Sequence, residues 1–220
     1  MGFDFDHTLG IDNKLERVAF LQMLDAACTS GGSCIGTLDE EIRCIDAILA
    51  KQRSGAFSIE EAVETFMRER GAPDPQAYPA RYKQLCIDMV PSFVIPEPEV
   101  REMLAQLRER GVPCGILTNG WSPLQQHKAR RVSFSGPVLV SSDLGVQKPD
   151  VAAFDALAKA LGVPREEIAY VGDTPASDVA GALRAGMTAI WFDAEGIPYP
   201  QELPPPSASI RRLTELLSFV

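Results

Sequence analysis

At 220 residues, with 45% hydrophobic and 23% charged side chains, the chain can bury a sizeable core as one domain with an insertion or as two small domains, and it has the balance of an ordinary globular protein. Thirty acidic against 21 basic residues leave a net charge of −9, which argues against a nucleic acid polymer as partner but leaves room for a small anion held by a local lysine or by backbone N–H groups. Five cysteines (Cys28, Cys34, Cys44, Cys86, Cys114) without a CxxC spacing read as reduced thiols, and there is neither an arginine-flanked apolar leader nor an apolar run of the ~18 residues a membrane span needs, so a cytoplasmic protein with no membrane partner is expected.

The chain opens MGFDFDHTLG, where alternation from Gly2 to Asp6 predicts a strand with Asp4 and Asp6 on one face. At ~4 Å and an effective dielectric near 20, two such carboxylates repel by roughly 4 kcal/mol. The pair therefore calls for a proton, a cation or a divalent metal, or it splays into water at a strand end. Apolar spacing from Lys14 to Ala27 predicts a helix that the breaker SGGS stops. Thr37 and Glu40 form a capping box for a second helix, SIEE repeats the device at Ser58 for a third that Gly71 ends, and PARYKQLCIDMV reads as a fourth. Residues from about 12 to 93 thus carry only helices.

Beyond PEPEV the texture becomes an alternation of helix and short apolar strand. Helices are expected at 97–110, 121–131, 150–161 and 176–185, and strands at VPCGILTNG, PVLVSS, EEIAYVGD and MTAIWF. Such alternation predicts an α/β fold with a parallel sheet and right-handed crossovers, the N-terminal strand joining that sheet and the helical stretch inserted after it. The proline-rich GIPYPQELPPPSAS then reads as a connector, and IRRLTELLSFV as a short docked tail.

Ligands of an open parallel sheet bind outside the carboxyl ends of its strands. Four polar clusters fall at or just beyond predicted strand ends: DFDHT, TNG, QKPD and GDTPASD. Singly each has an ordinary reading, as a turn, a solvated lysine or a helix cap. Their order and placement together carry the signal.

In that order (DxDxT, apolar-TN, KP, GDxxxxD) the clusters resemble the haloacid dehalogenase superfamily, in its phosphatase branch with a helical cap inserted after the first motif; the resemblance runs from Asp4 to about Phe192. It implies a Rossmann-like core with helices on both faces over residues 1–11 and 95–220, and an all-helical cap over 12–94, with hinges near 11–14 and 93–97. Family members carry several apolar residues before the first Asp, whereas only Met1, Gly2 and Phe3 stand here, so the first strand is short or the sequence begins late.

The resemblance implies a Mg²⁺-dependent phosphomonoester hydrolase. Asp4 would be the nucleophile that forms an aspartyl-phosphate, and Asp6 the acid that protonates the leaving alcohol and then accepts a proton from water. Mg²⁺ would be held by the side chains of Asp4 and Asp173 and the backbone carbonyl of Asp6, with Asp178 reaching it through water or orienting Lys148, unless Asp178 simply opens the next helix. Thr118, the backbone N–H of Asn119, and Lys148 would hold the phosphoryl oxygens, and N–H groups of Phe5 and Asp6 would complete the cradle. His7, where many relatives have Gly, would face substrate or remain a turn residue; Trp121 would line the cleft or pack between helix and sheet; His127 is expected to be exposed. The glycine-rich TSGGSCIG is a candidate specificity loop. A lid that closes over the strand ends favours a small soluble phosphate ester as substrate. Two alternatives stand beside this reading: a phosphosugar mutase on the same fold, and a binding protein that keeps the fold without turnover.

Overall fold

Amphipathic spacing decides the middle of the chain. In the computed structural model, which describes residues 1–29 and 36–220, the segment Asn13–Phe93 forms one unit, and Met1–Asp12 with Val94–Val220 forms another. The helical unit consists of α1 (Leu15–Thr29), α2 (Leu38–Arg53), α3 (Ile59–Glu69) and α4 (Tyr78–Phe93). Both expected capping boxes are present: Thr37 and Ser58 each accept the backbone N–H three residues on, and Glu40 and Glu61 reach back to the cap N–H. Phe20 of α1 sits at the centre, its ring 5.0 Å from Phe66 and 4.7 Å from Tyr82. Arg70 is buried there as well, paired with Glu41 and stacked 3.5 Å over the Phe66 ring.

The other unit is built on strands β1 (Gly2–Phe3), β2 (Gly10–Ile11), β3 (Ile95–Pro96), β4 (Gly115–Thr118), β5 (Val138–Val140), β6 (Ala169–Gly172), β7 (Thr188–Phe192) and β8 (Ala208–Ile210). Six of them form one parallel sheet in the order β5-β4-β1-β6-β7-β8, while β2 and β3 pair antiparallel. Between the strands run α5 (Val100–Glu109), α6 (Leu124–Arg131), the single turn α7 (Ser141–Leu144), α8 (Val151–Leu161) and the short α9 (Ala180–Arg184). Phe154 and Leu157 of α8 pack on Leu117, Tyr170 and Ala189 of the sheet, with the Phe154 and Tyr170 rings edge to face at 5.0 Å. From β1 the chain fills one side of the sheet with β4 and β5 and then returns to fill the other. The reversal leaves a crevice beyond the carboxyl ends of β1, β4 and β6, which is where a doubly wound sheet binds its ligand.

Several expectations need correction. The first strand ends at Phe3 rather than Asp6, because the Phe5 carbonyl accepts the N–H groups of Thr8, Leu9 and Gly10 and turns the chain. The helix expected at 97–110 starts only at Val100, after Pro96 and Pro98, and the one expected at 121–131 starts at Leu124, after Pro123. PVLVSS leaves the sheet at Val140, and the helix expected at 176–185 is a π turn over Pro175–Val179 followed by α9. The connector after Phe192 contributes β8, an edge strand that owes its form to pairing with β7 rather than to any apolar run. Cys44, Cys86 and Cys114 lie outside any disulfide, but Cys28 is disulfide-bonded: an odd cysteine count leaves room for a pair, so it does not show that all five are reduced. The candidate loop TSGGSCIG falls largely on residues 30–35, outside the described residues. None of the described helices is long and apolar enough to cross a membrane.

Candidate active site

Asp4 follows directly on β1, its N–H donating to the Val171 carbonyl of β6 at 2.9 Å, so its carboxylate stands at the sheet's carboxyl edge. Asp173 follows β6 in the same way. Asp178 arrives from the π turn and is buried against the end of β6, where a Cβ on Gly172 would lie 2.4 Å from its carboxyl carbon. Only glycine permits that approach. Lys148 stands in the loop before α8, and its backbone is held by the Asn119 side chain, which donates to the Lys148 carbonyl and accepts from the Lys148 N–H, both at 2.9 Å.

Lys148 is buried, and its Nζ donates to Asp4 at 2.6 Å and to Asp178 at 2.7 Å. Carboxylate oxygens of Asp4, Asp173 and Asp178 all lie within 4.8 Å of one another. Three carboxylates against one ammonium cannot all be ionised at low cost in a buried place. Burial raises the Asp4 pKa, Lys148 opposes that, and the charges of Asp178, Asp173 and Asp6 add to the rise, leaving it at about 8. Asp173 is raised to about 6, first by burial and then by Asp178. Lys148 goes the other way: burial works against its charge, but Asp178 and Asp4 outweigh it and keep it protonated well above its usual range. Hard oxygen donors with an excess of negative charge suit a divalent cation such as Mg²⁺.

The sign of these shifts gives a prediction for the protein in chelator. Above about pH 4 the folded state keeps protons that the unfolded chain has released, on Asp173 up to about 6 and on Asp4 up to about 8. Stability is therefore highest below the unfolded carboxylate range and falls as pH rises through about 6 and then about 8. The Asp4 proton alone sets a slope of up to about 1.4 kcal/mol per pH unit. Melting in EDTA should show this decline, Asp4→Asn should flatten it, and Mg²⁺ should oppose it; a flat wild-type profile in EDTA would contradict it.

The remaining expected residues distribute as follows. Thr118 ends β4 and is buried. His7 is exposed and takes a left-handed φ of 61°, the conformation that favours glycine. Trp121 is buried, and His127 is half-buried rather than exposed because α6 packs more of its surface than its polar sequence suggests. Asp6 does not share the Asp4 cluster's lysine. Its Oδ1 accepts from Lys128 at 2.8 Å and its Oδ2 from Gln125 at 3.0 Å, both from α6. The two aspartates thus pair with different lysines, Asp4 with Lys148 and Asp6 with Lys128. Sequence reasoning missed Lys128, Gln125 and Trp191, whose indole N–H donates to the Asp173 carbonyl at 2.9 Å.

A family model for haloacid dehalogenase-like hydrolases matches residues 88–186. The chain is 31% identical over 192 residues to glyceraldehyde 3-phosphate phosphatase of Methanopyrus kandleri, covering 86% of this chain and 81% of that protein. It is 42% identical over 99 residues to phosphoserine phosphatase of Thermus thermophilus, a match that spans 44% of this chain but only 40% of that protein's length. Among solved structures it is similar to the HAD-hydrolase YfnB from Bacillus subtilis bound to magnesium, with TM-score 0.72, 22% identity, and coverage of 99% of this chain and 96% of that one.

Proposed function

The chain belongs to the haloacid dehalogenase-like hydrolases, and on that premise we propose that it is a phosphatase of that family, hydrolysing a small phosphate monoester through an aspartyl-phosphate on Asp4 with Mg²⁺ as cofactor. The observation that carries the reading is Lys148 bridging Asp4 and Asp178, with Asp173 beside them, at the carboxyl ends of adjacent parallel strands. The side chains of Asp4 and Asp173 and the backbone carbonyl of Asp6 would hold Mg²⁺, which supplies charge neutralisation between the anionic nucleophile and the anionic phosphoryl group.

A carboxylate oxygen of Asp4 attacks phosphorus and the ester P–O bond breaks, while Asp6 delivers a proton to the departing alkoxide. Water then attacks the same phosphorus, gives its proton to Asp6, and releases phosphate with the Asp4 carboxylate restored. Lys148, the Thr118 hydroxyl and the Asn119 N–H hold the equatorial oxygens as charge grows on them. Asn119 has a second duty through its side chain, fixing the Lys148 backbone. Asp178 keeps the Lys148 ammonium in place, and its other oxygen accepts the Thr174 N–H at 3.0 Å. All of these residues lie in the unit Met1–Asp12 with Val94–Val220.

Phosphate release from a panel of sugar phosphates, phosphoglycolate, phosphorylated amino acids and nucleotides tests the proposal. Turnover of at least one small ester is expected, silenced by EDTA and restored by Mg²⁺. Full activity in chelator removes the metal from the scheme, and a panel with no substrate at all counts against the phosphatase reading.

A further inference from the structure

We propose that Gln125 and Lys128 are positioning residues that lock the Asp6 carboxyl in the orientation needed for proton transfer to the leaving group, an inference that rests on the reading of Asp6 as acid and base. The two side chains stand three residues apart on α6, and so on one face of it. Each grips a different oxygen of Asp6: Lys128 Nζ donates to Oδ1 at 2.8 Å, and Gln125 Nε2 to Oδ2 at 3.0 Å. A carboxyl held at both oxygens cannot rotate freely about its last bond. Both grips are donors, so each occupies one lone pair and leaves the other lone pair of that oxygen to carry or receive a proton. Asp6 keeps 27% of its side-chain surface exposed, whereas Lys128 and Gln125 are themselves buried.

Two observations separate this from ordinary packing. Among the described residues the buried Gln125 carbonyl oxygen Oε1 has no hydrogen-bond partner, although an apolar residue of similar length would fill the same space without stranding an acceptor. The amide is thus kept at a cost for what its Nε2 does. Gly120, in the turn after β4, lies against the amide: a Cβ there would stand 2.7 Å from Gln125 Nε2 and push that flexible end aside. Lys128 in turn is anchored by Asp12, whose Oδ2 accepts from its Nζ at 3.1 Å.

The test is kcat/KM, which reports the step that expels the alcohol, measured across phosphomonoesters from 4-nitrophenyl phosphate to simple alkyl phosphates. A group that positions an acid matters most where the leaving group most needs a proton. Gln125→Met and Lys128→Met are expected to lose less than about threefold on 4-nitrophenyl phosphate but at least about tenfold and about 100-fold, respectively, on alkyl phosphates, with Lys128→Arg recovering part of the loss. Gln125→Met should melt at or above the wild-type temperature, an outcome opposite to that of a residue kept for stability. Asp6→Asn is the reference. If it shows leaving-group-dependent loss while the Gln125 and Lys128 variants lose nothing, or lose equally on every ester, the positioning role is overturned and the reading of Asp6 stands. If Asp6→Asn itself is indifferent to the leaving group, both fall together.

Discussion

Asp4→Asn is expected to lower phosphomonoester turnover by at least about 10⁴-fold while the protein remains folded. Asparagine matches aspartate in shape, and its carbonyl oxygen can still accept the Lys148 ammonium, which now lies 2.6 Å away. What it lacks is the anionic oxygen that, in the proposed mechanism, bonds to phosphorus. The same change removes one of three carboxylates crowded within 4.8 Å around a single lysine. Repulsion is thereby relieved, so the melting temperature in EDTA at pH 8 should equal or exceed that of the wild type, even as affinity for Mg²⁺ declines. Activity and stability are thus expected to move apart. Turnover retained near the wild-type level would rule out Asp4 as nucleophile.

The fold was legible where burial writes itself into local pattern. GILT, AYVG and TAIWF are short apolar runs closed by polar turns, and a strand buried on both faces needs nothing else. The edge strand β8 was not legible, because Ala208 and Ser209 carry no strand signal and pairing with β7 supplies the order. Lys148 was legible from its place in a motif, not from its surroundings: a lysine before proline ordinarily reads as solvated, and only the carboxylates of Asp4 and Asp178 make burial tolerable.

Helix α6 shows the opposite case. LQQHKARR reads as a surface helix, yet Leu124, Gln125, Lys128 and Ala129 are buried. Their spacing at i, i+1, i+4 and i+5 is that of a buried face, but two of the four are polar, so hydropathy hides it. The partners Asp6 and Asp12 lie more than a hundred residues away in sequence, and nothing local announces them. His7, singled out in the sequence because the family it resembles often has Gly there, takes a left-handed φ of 61° in a turn so tight that three N–H groups share the Phe5 carbonyl.

Lys148→Met should be the most destabilising single change at the site. The ammonium is buried and forms ion pairs with Asp4 at 2.6 Å and Asp178 at 2.7 Å, so its loss leaves buried carboxylates with no counter-charge. Removing one partner of such a group destabilises by about 3–5 kcal/mol. Turnover should also fall by roughly 10³-fold, as for a lost charge that stabilises the transition state. A poorly folded variant would be inactive for a trivial reason, so the double variant Lys148→Met with Asp4→Asn is the informative one. With one carboxylate neutralised, stability should recover by more than the sum of the single effects allows, a coupling of about 0.5–3 kcal/mol between residues in contact. Activity should stay absent, because the double variant lacks both the proposed nucleophile and the ammonium. Thermal melts of the four proteins in EDTA, read as a double-mutant cycle, check this directly. Additive stabilities would show that Lys148 and Asp4 do not balance each other's charge, and the electrostatic account of the site would fail with them.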